Sequence, residues 1–269
     1  MRLFRYYPGD SVLHRLNPSI KLLAVVLVTV AITFVFDIPT PLTFLVASLL
    51  LTVVVGRIPV RYVLLSMAPF VLVSLSFVFI NVLFFDPDQA RTPLFYIGPL
   101  LVSREGVIAG VSVALRVLFL VSTSLMFVST TKPRDFVLSL IQQAKLNYKL
   151  AYAVLAAFRF IPIFAEEYAS IRAAAQVRGA GASSGIFGAV RSLRRDAVPL
   201  LAGAIRRSER LALAMDSRAF GAYPTRTYHR RLHVTTADWV FLGAVLVGSA
   251  ALFAALAALG LLQGVGVIY

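Results

Sequence analysis

Arginine is the residue of this chain best placed to do chemistry, and that chemistry is recognition. Arg178 lies in Ala175-Gln176-Val177-Arg178-Gly179-Ala180. Arg218 lies in Ala214-Met215-Asp216-Ser217-Arg218-Ala219-Phe220-Gly221, about forty residues on. Each arginine stands beside small residues at the end of a predicted helix. A guanidinium offers planar, multidentate hydrogen bonds to carboxylates and carbonyls. At a helix C-terminus its charge also complements the helix dipole. A third arginine, Arg116, falls inside an apolar run. It is either functional there or pairs with carbonyls or hydroxyls such as those of Ser112 or Ser122, holding two helices together.

Bond-making groups are scarce by comparison. There is no cysteine, hence no disulfide framework and no thiolate site. His14, His229 and His233 lack metal-ligand spacing. None of the four lysines (Lys21, Lys132, Lys145, Lys149) follows a glycine, so no phosphate-binding loop is present. Glu166-Glu167 is the only adjacent acidic pair. With Arg159 and Arg172 it reads as a set of helix-stabilising pairs.

The elements that position the arginines follow from composition. Hydrophobic residues make up 59% of the 269 residues and charged residues 14%. A soluble domain averages about 25% charged. These charges are too few to coat a soluble globule, so an ordinary cytosolic enzyme and a disordered protein are excluded and the bilayer is the fitting solvent. Uncharged or nearly uncharged runs at 20–36, 62–85, 106–130 and 239–262 approach or exceed the length needed to cross a core of roughly 30 Å. A shorter run, 41–55, spans as well. The sixth apolar run, 148–164, holds Arg159 and Pro162. Met1–Arg15 is polar and basic and does not read as a cleaved signal peptide.

Net charge is +14, from 26 Lys and Arg against 12 Asp and Glu. The positive-inside rule then orders the loops. Arg2, Arg5, Arg15 and Lys21 put the N-terminus inside. The turn at Asp37 lies outside, Arg57 and Arg61 inside, and 86–105 outside. Lys132, Arg134, Lys145 and Lys149 return the chain to the inside. Residues 165–236 carry twelve arginines and five acids. This region belongs inside too, so 148–164 does not cross but lies against the inner face. The last run crosses outward and leaves an external tail, 263–269. The expected fold is an all-α integral membrane protein with about five transmembrane helices. Long amphipathic cytoplasmic helices are inserted before the last span. Its parts are a four-span membrane domain (1–130), a cytoplasmic region (131–236) and a final span with a short tail (237–269).

Within the insert, 171–177 is a helical run that ends in a Gly- and Ser-rich break over 179–185. Residues 187–218 are helical by propensity, with Asp196 as a cap and Pro199 in the turn after it. Arg191, Arg194 and Arg195 share one face by spacing, and so do Arg206, Arg207 and Arg210. Leu200, Leu201, Ala204, Leu211 and Ala214 lie opposite. Such a face can rest on anionic lipid. The small residues Ala173, Ala174 and Ala175 permit close helix crossing, and a docking platform for other proteins accounts for both features. Gly106 and Gly110 form a small-xxx-small pattern that marks tight helix packing.

The two arginine motifs on basic helices between spans four and five resemble the transmembrane T component, EcfT, of energy-coupling factor (ECF) transporters. That family carries two Ala-Arg-Gly-type motifs at the ends of two coupling helices. The opening Tyr7-Pro8-Gly9-Asp10-Ser11, with His14-Arg15-Leu16-Asn17-Pro18 and Lys21-Leu22-Leu23, is similar to the family's own. The resemblance runs over essentially the whole chain. Here Val177 replaces the usual Ala, and Ser217-Arg218-Ala219 replaces Ala-Arg-Gly.

The resemblance implies a non-catalytic subunit in a bacterial or archaeal cytoplasmic membrane. It implies two ABC ATPase partners (a homo- or heterodimer), which hold ATP and Mg, while this chain holds no cofactor. It further implies a small membrane S component that binds a vitamin or metal ion, with lipid around the assembly and no nucleic acid. The ATPase-docking residues it implies are Val177, Arg178, Gly179, Ser217, Arg218 and Ala219. Contact with the S component would fall to Ala156, Phe160, Ala173 and Ala174. Two rival readings are a secondary carrier, which would need buried carboxylates or broken helices, and a lipid enzyme, which would need a carboxylate or metal cluster at the inner face.

Overall fold

The structure is a computed structural model that describes residues 6–35, 37–84, 93–97, 100–178, 186–223, 228 and 230–261. Among the described residues the fold is all-α apart from one small hairpin. A short α1 (Val12–Arg15) leads into α2 (Pro18–Thr33). Then come α3 (Pro39–Leu50), which runs on through a π-helical turn Leu51–Val55, and α4 (Val60–Leu83). After the hairpin come α5 (Arg104–Thr130), α6 (Pro133–Gln143), α7 (Tyr148–Val177), α8 (Ile186–Asp216) and α9 (Thr236–Ala258). The chain forms two compact units, Met1–Ser139 with Leu232–Tyr269, and Leu140–Arg231.

Helix starts follow local sequence chemistry. Asn17 accepts from Ser19 N–H at 3.1 Å and Pro18 opens α2, where its missing N–H costs nothing. Ser103 accepts from Gly106 N–H at 3.1 Å to start α5. Thr235 and Asp238 form a reciprocal capping box on α9. Asp37 side-chain oxygens accept from Thr40 N–H and Oγ at 3.2 and 2.8 Å, closing the turn before α3. At the N-terminal end Arg15 grips Asp10 at 2.8 and 2.7 Å, and its guanidinium holds that carboxyl below the usual carboxylate range.

The first unit packs its helices around Val28, Ile32, Phe44, Leu45, Ile58, Met67, Phe119 and Leu125. Phe44 meets Phe119 edge-on at 6.2 Å and Phe253 of α9 at 5.0 Å. Between α3 and α5, Ser48 and Ser122 hydroxyls share a bond at 2.8 Å. Helices α4 and α5 approach closely at Gly110, where an added Cβ would stand 3.1 Å from the Val78 backbone. That is the tight packing expected of the Gly106/Gly110 pattern. Leu64, Leu72 and Phe79 on α4 and Val247 on α9 are exposed.

Among the described residues, four helices are long and apolar enough to cross a membrane: Val60–Leu83, Arg104–Thr130, Tyr148–Val177 and Thr236–Ala258. Pro18–Thr33 and Pro39–Val55 are shorter apolar helices. One feature is added and two expectations change. The connection between α4 and α5 contains an antiparallel hairpin, Pro93–Ile97 with Leu100–Ser103. The run 148–164 and the run 171–177 are one continuous helix with Pro162 inside it. Asp196 does not cap a helix: with Pro199 it lies inside α8, buried and paired with Arg195 at 3.0 Å. One proline removes only one intrahelical bond, and long flanks of good helix formers carry each helix through it. The 179–185 break and the 263–269 tail lie outside the described residues.

Candidate functional site

The second unit is built on α7 and α8. Asn147 starts α7 by accepting from Lys149 N–H at 2.9 Å. Its 30 residues make a rod about 45 Å long at about 1.5 Å per residue. Helix α8 pairs with it in the opposite direction. Near one end of the pairing, Arg207 Nη2 donates to Glu167 Oε2 at 3.2 Å. The same guanidinium lies 6.0 and 5.9 Å from the rings of Phe160 and Phe164. Gly203 permits this approach, since a Cβ there would fall 2.4 Å from Glu167 Oε1. Near the other end, Phe220 packs on Tyr148 and Tyr152 with ring centroids 5.7 and 5.0 Å away. The Tyr148 hydroxyl donates to the Tyr223 carbonyl at 2.8 Å.

Arg218 and Arg178 therefore stand at different levels of the pair. Arg218 shares a hollow of about 220 Å³ with Tyr148, Tyr152, Met215 and Phe220. Arg178 ends α7, 26 residues beyond Tyr152, which is about 39 Å along the axis. Both arginines are exposed, and Val177 is 88% exposed. Ser217 is also exposed and donates its hydroxyl to the Ala214 carbonyl at 3.1 Å. Gly179 lies outside the described residues.

The end of α8 has a defined backbone form. Phe220 N–H donates to Met215 C=O at 3.0 Å, and Ala219 N–H to Asp216 C=O at 2.9 Å. These are the two bonds of a Schellman cap. Ala219 takes the left-handed position, with φ +54°. An L-residue with a Cβ pays about 1–2 kcal/mol there, and glycine does not. Ala219→Gly is therefore expected to stabilise the cap by about 1 kcal/mol, read as a higher thermal midpoint of the purified protein. A lower midpoint would show that the alanine methyl is needed for packing.

Other expected site residues separate. Ala156 and Phe160 are half-buried, and Phe160 faces Arg207 of α8; Ala173 and Ala174 are exposed. The exposed apolar stripe of α7 is instead Leu150, Val154, Phe158 and Ile161. Glu167 does not serve a pair within its own helix, because its partner is forty residues away on α8. Arg206 and Arg210 are exposed while Arg207 turns inward, so the three do not share one face. Leu201, placed opposite the arginines, is exposed together with Val198 and Ile205. Arg116 donates to the Val35 carbonyl, and Ser112 to the Asp37 carbonyl at 2.8 Å, so both tie α5 to the turn before α3.

Two charged residues of the first unit are buried in hydrogen-bond sets that the sequence alone does not foretell. Lys21 is 1% exposed and Asp238 2%. The Lys21 ammonium donates to Leu13 C=O at 2.9 Å, Thr130 C=O at 3.2 Å and Thr131 Oγ at 2.7 Å. Asp238 accepts from Asn17 N–H at 2.6 Å and from Thr235 N–H and Oγ at 2.7 and 2.8 Å. Removing one partner from such a buried set costs about 3–5 kcal/mol. A Thr-x-x-Asp capping box was the sequence signal for Asp238. For Lys21 it was a lone lysine opening an apolar run after Asn17-Pro18.

A family model described as "Cobalt transport protein", CbiQ, matches residues 9–229. An energy-coupling factor transporter transmembrane protein EcfT from Thermosediminibacter oceani is 31% identical over 256 residues, covering 91% of this chain and 95% of that protein. Another EcfT, from Acidaminococcus fermentans, is 33% identical over 244 residues, covering 88% and 89%. A Bifidobacterium longum protein named as an ABC transporter ATP-binding protein is 28% identical over 257 residues, 92% of this chain and 32% of its own length. With a membrane-helix scaffold, two arginine-ended helices and these matches over most of its length, the chain belongs to the CbiQ/EcfT family of energy-coupling factor transporter transmembrane proteins.

Proposed function

We propose that this chain links ATP hydrolysis by two cytoplasmic ABC ATPases to reorientation of a small S component that brings a vitamin or transition-metal ion into the cell. The observation that carries the reading is the pair of exposed arginines, Arg178 and Arg218, held about 39 Å apart along one rod. A span of that size suits two docking grooves better than one. The ATP-binding name of the longer relative supports an ABC partnership. ATP and Mg belong to the ATPases in this reading. The S component would use the exposed apolar stripe Leu150, Val154, Phe158 and Ile161 together with Ala173 and Ala174.

The charge pattern supports five spans, with the N-terminus inside, the C-terminus outside and α7 along the inner face. The test is purification of tagged protein, expressed at native level, in mild detergent. Two ABC ATPase chains and a small hydrophobic membrane protein are expected to copurify. A chain that comes out alone and binds a solute by itself would replace this reading with a secondary carrier.

A further inference from the structure

The chain leaves the first unit after α5 and returns to it just before α9. Any force that passes along the backbone between the units crosses those two joints. Both joints are bonded to one short stretch, Leu13 to Lys21, and every group involved lies in the first unit. At the exit, Lys21 binds Thr130 and Thr131, and the Ser19 hydroxyl donates to that of Ser139 at 2.9 Å. At the return, Asp238 holds Asn17 N–H with one oxygen and Thr235 with the other. Asn17 and Lys21 are one helical turn apart, joined by a backbone bond of 3.1 Å. One turn of α2 thus grips the exit on one side and the return on the other. Asp238 also lies within electrostatic reach of Lys21.

An ammonium has three protons to donate, and these oxygens take them. A buried charge deprived of its acceptors is costly. Displacing Thr131 or Leu13 would take an acceptor from the buried Lys21 charge, so the exit joint is pinned by electrostatics as well as by packing. We infer that Lys21, with Asn17 and Asp238, is a transmission anchor. It makes α2, the end of α5 and the start of α9 one block, so that movement of the coupling helices reaches the membrane helices undiminished. These are positioning residues, which touch neither nucleotide nor solute. The inference rests on the coupling function proposed above.

The test uses the full complex in lipid. The chain has no cysteine, so paired nitroxide labels can be placed on Leu23→Cys with Arg134→Cys, and on Leu23→Cys with Val240→Cys. They are attached before the ATPases are added. Distances are measured by pulsed electron resonance without nucleotide and after trapping with MgATP and orthovanadate. In otherwise native protein both distances are expected to be the same in the two states. In Lys21→Met the first distance is expected to shift on trapping, and in Asp238→Asn the second. Lys21→Arg is expected to keep the native result.

A static packing role would alter the distances equally in both states, so the nucleotide dependence is the deciding readout. Nucleotide-independent distances in the assembled Lys21→Met and Asp238→Asn complexes would overturn the anchor. So would joints that already shift in the native complex, or failure of both variants to assemble. Failure of the native chain to bind ATPases would instead overturn the coupling function itself.

Discussion

Arg178→Glu combined with Arg218→Glu is expected to abolish ATPase copurification and uptake while membrane insertion continues. Both arginines lie at helix ends and are exposed. Among the described residues neither takes a side-chain hydrogen bond or ion pair, so reversing their charge leaves the Glu167–Arg207 pair between α7 and α8 intact. In the complex each guanidinium would be enclosed by a carboxylate- or carbonyl-lined groove. Truncating one side of such an enclosed pair costs about 2–5 kcal/mol. At 1.4 kcal/mol per tenfold this is roughly 30- to 4,000-fold in affinity for each site. Each single variant is expected to weaken binding by that factor, and the double variant to leave none detectable by pull-down. Full copurification of the double variant would remove the arginines from the docking surface.

The second large effect belongs to the contact between α7 and α8 at Gly203. Gly203→Ala would place a Cβ where Glu167 Oε1 now lies. The carboxylate is the far end of a flexible side chain, so it would swing away and release Arg207. A hydrogen bond to a charged group contributes about 1.5–3 kcal/mol. Both Gly203→Ala and Glu167→Ala should therefore lower stability by about that amount. The double variant should cost no more than either single one, because the same bond is lost only once. A cycle of thermal midpoints reads this directly. Strict additivity would show that the methyl group acts elsewhere.

Much of this was readable from residue order. Uncharged runs located the apolar helices, because a bilayer core excludes charge. The start of α2 lies two residues before the apolar run that begins at 20, at the local signal Asn17-Pro18, since capping depends on neighbours only one or two residues away. The arginine motifs stood out for the same local reason. What escaped the sequence depends on how one helix lies against another. Glu167 and Arg207 are forty residues apart, and only the register of α7 on α8 makes them partners. That register also divides Arg206, Arg207 and Arg210 between solvent and contact, and turns Phe160 toward α8. Lys21 looked like a span-edge lysine, because its acceptors come from Leu13, Thr130 and Thr131, two of them more than a hundred residues away. Asp196 was misplaced for a different reason: aspartate followed by proline is also tolerated inside a long helix when the acid finds an arginine beside it.

The pairing of α7 with α8 has a mechanical consequence. Arg218 sits where Phe220 is clamped by two tyrosine rings. Arg178 rides on a cantilever that reaches about 17 Å beyond Glu167, with Arg172, Ala173, Ala174 and Gln176 exposed along it. A beam held at one end yields far more at its tip than at its root. Two chemically identical ATPases would thus press on unequal springs. Asymmetry between the two nucleotide sites would then arise from stiffness alone, with no difference in their sequences.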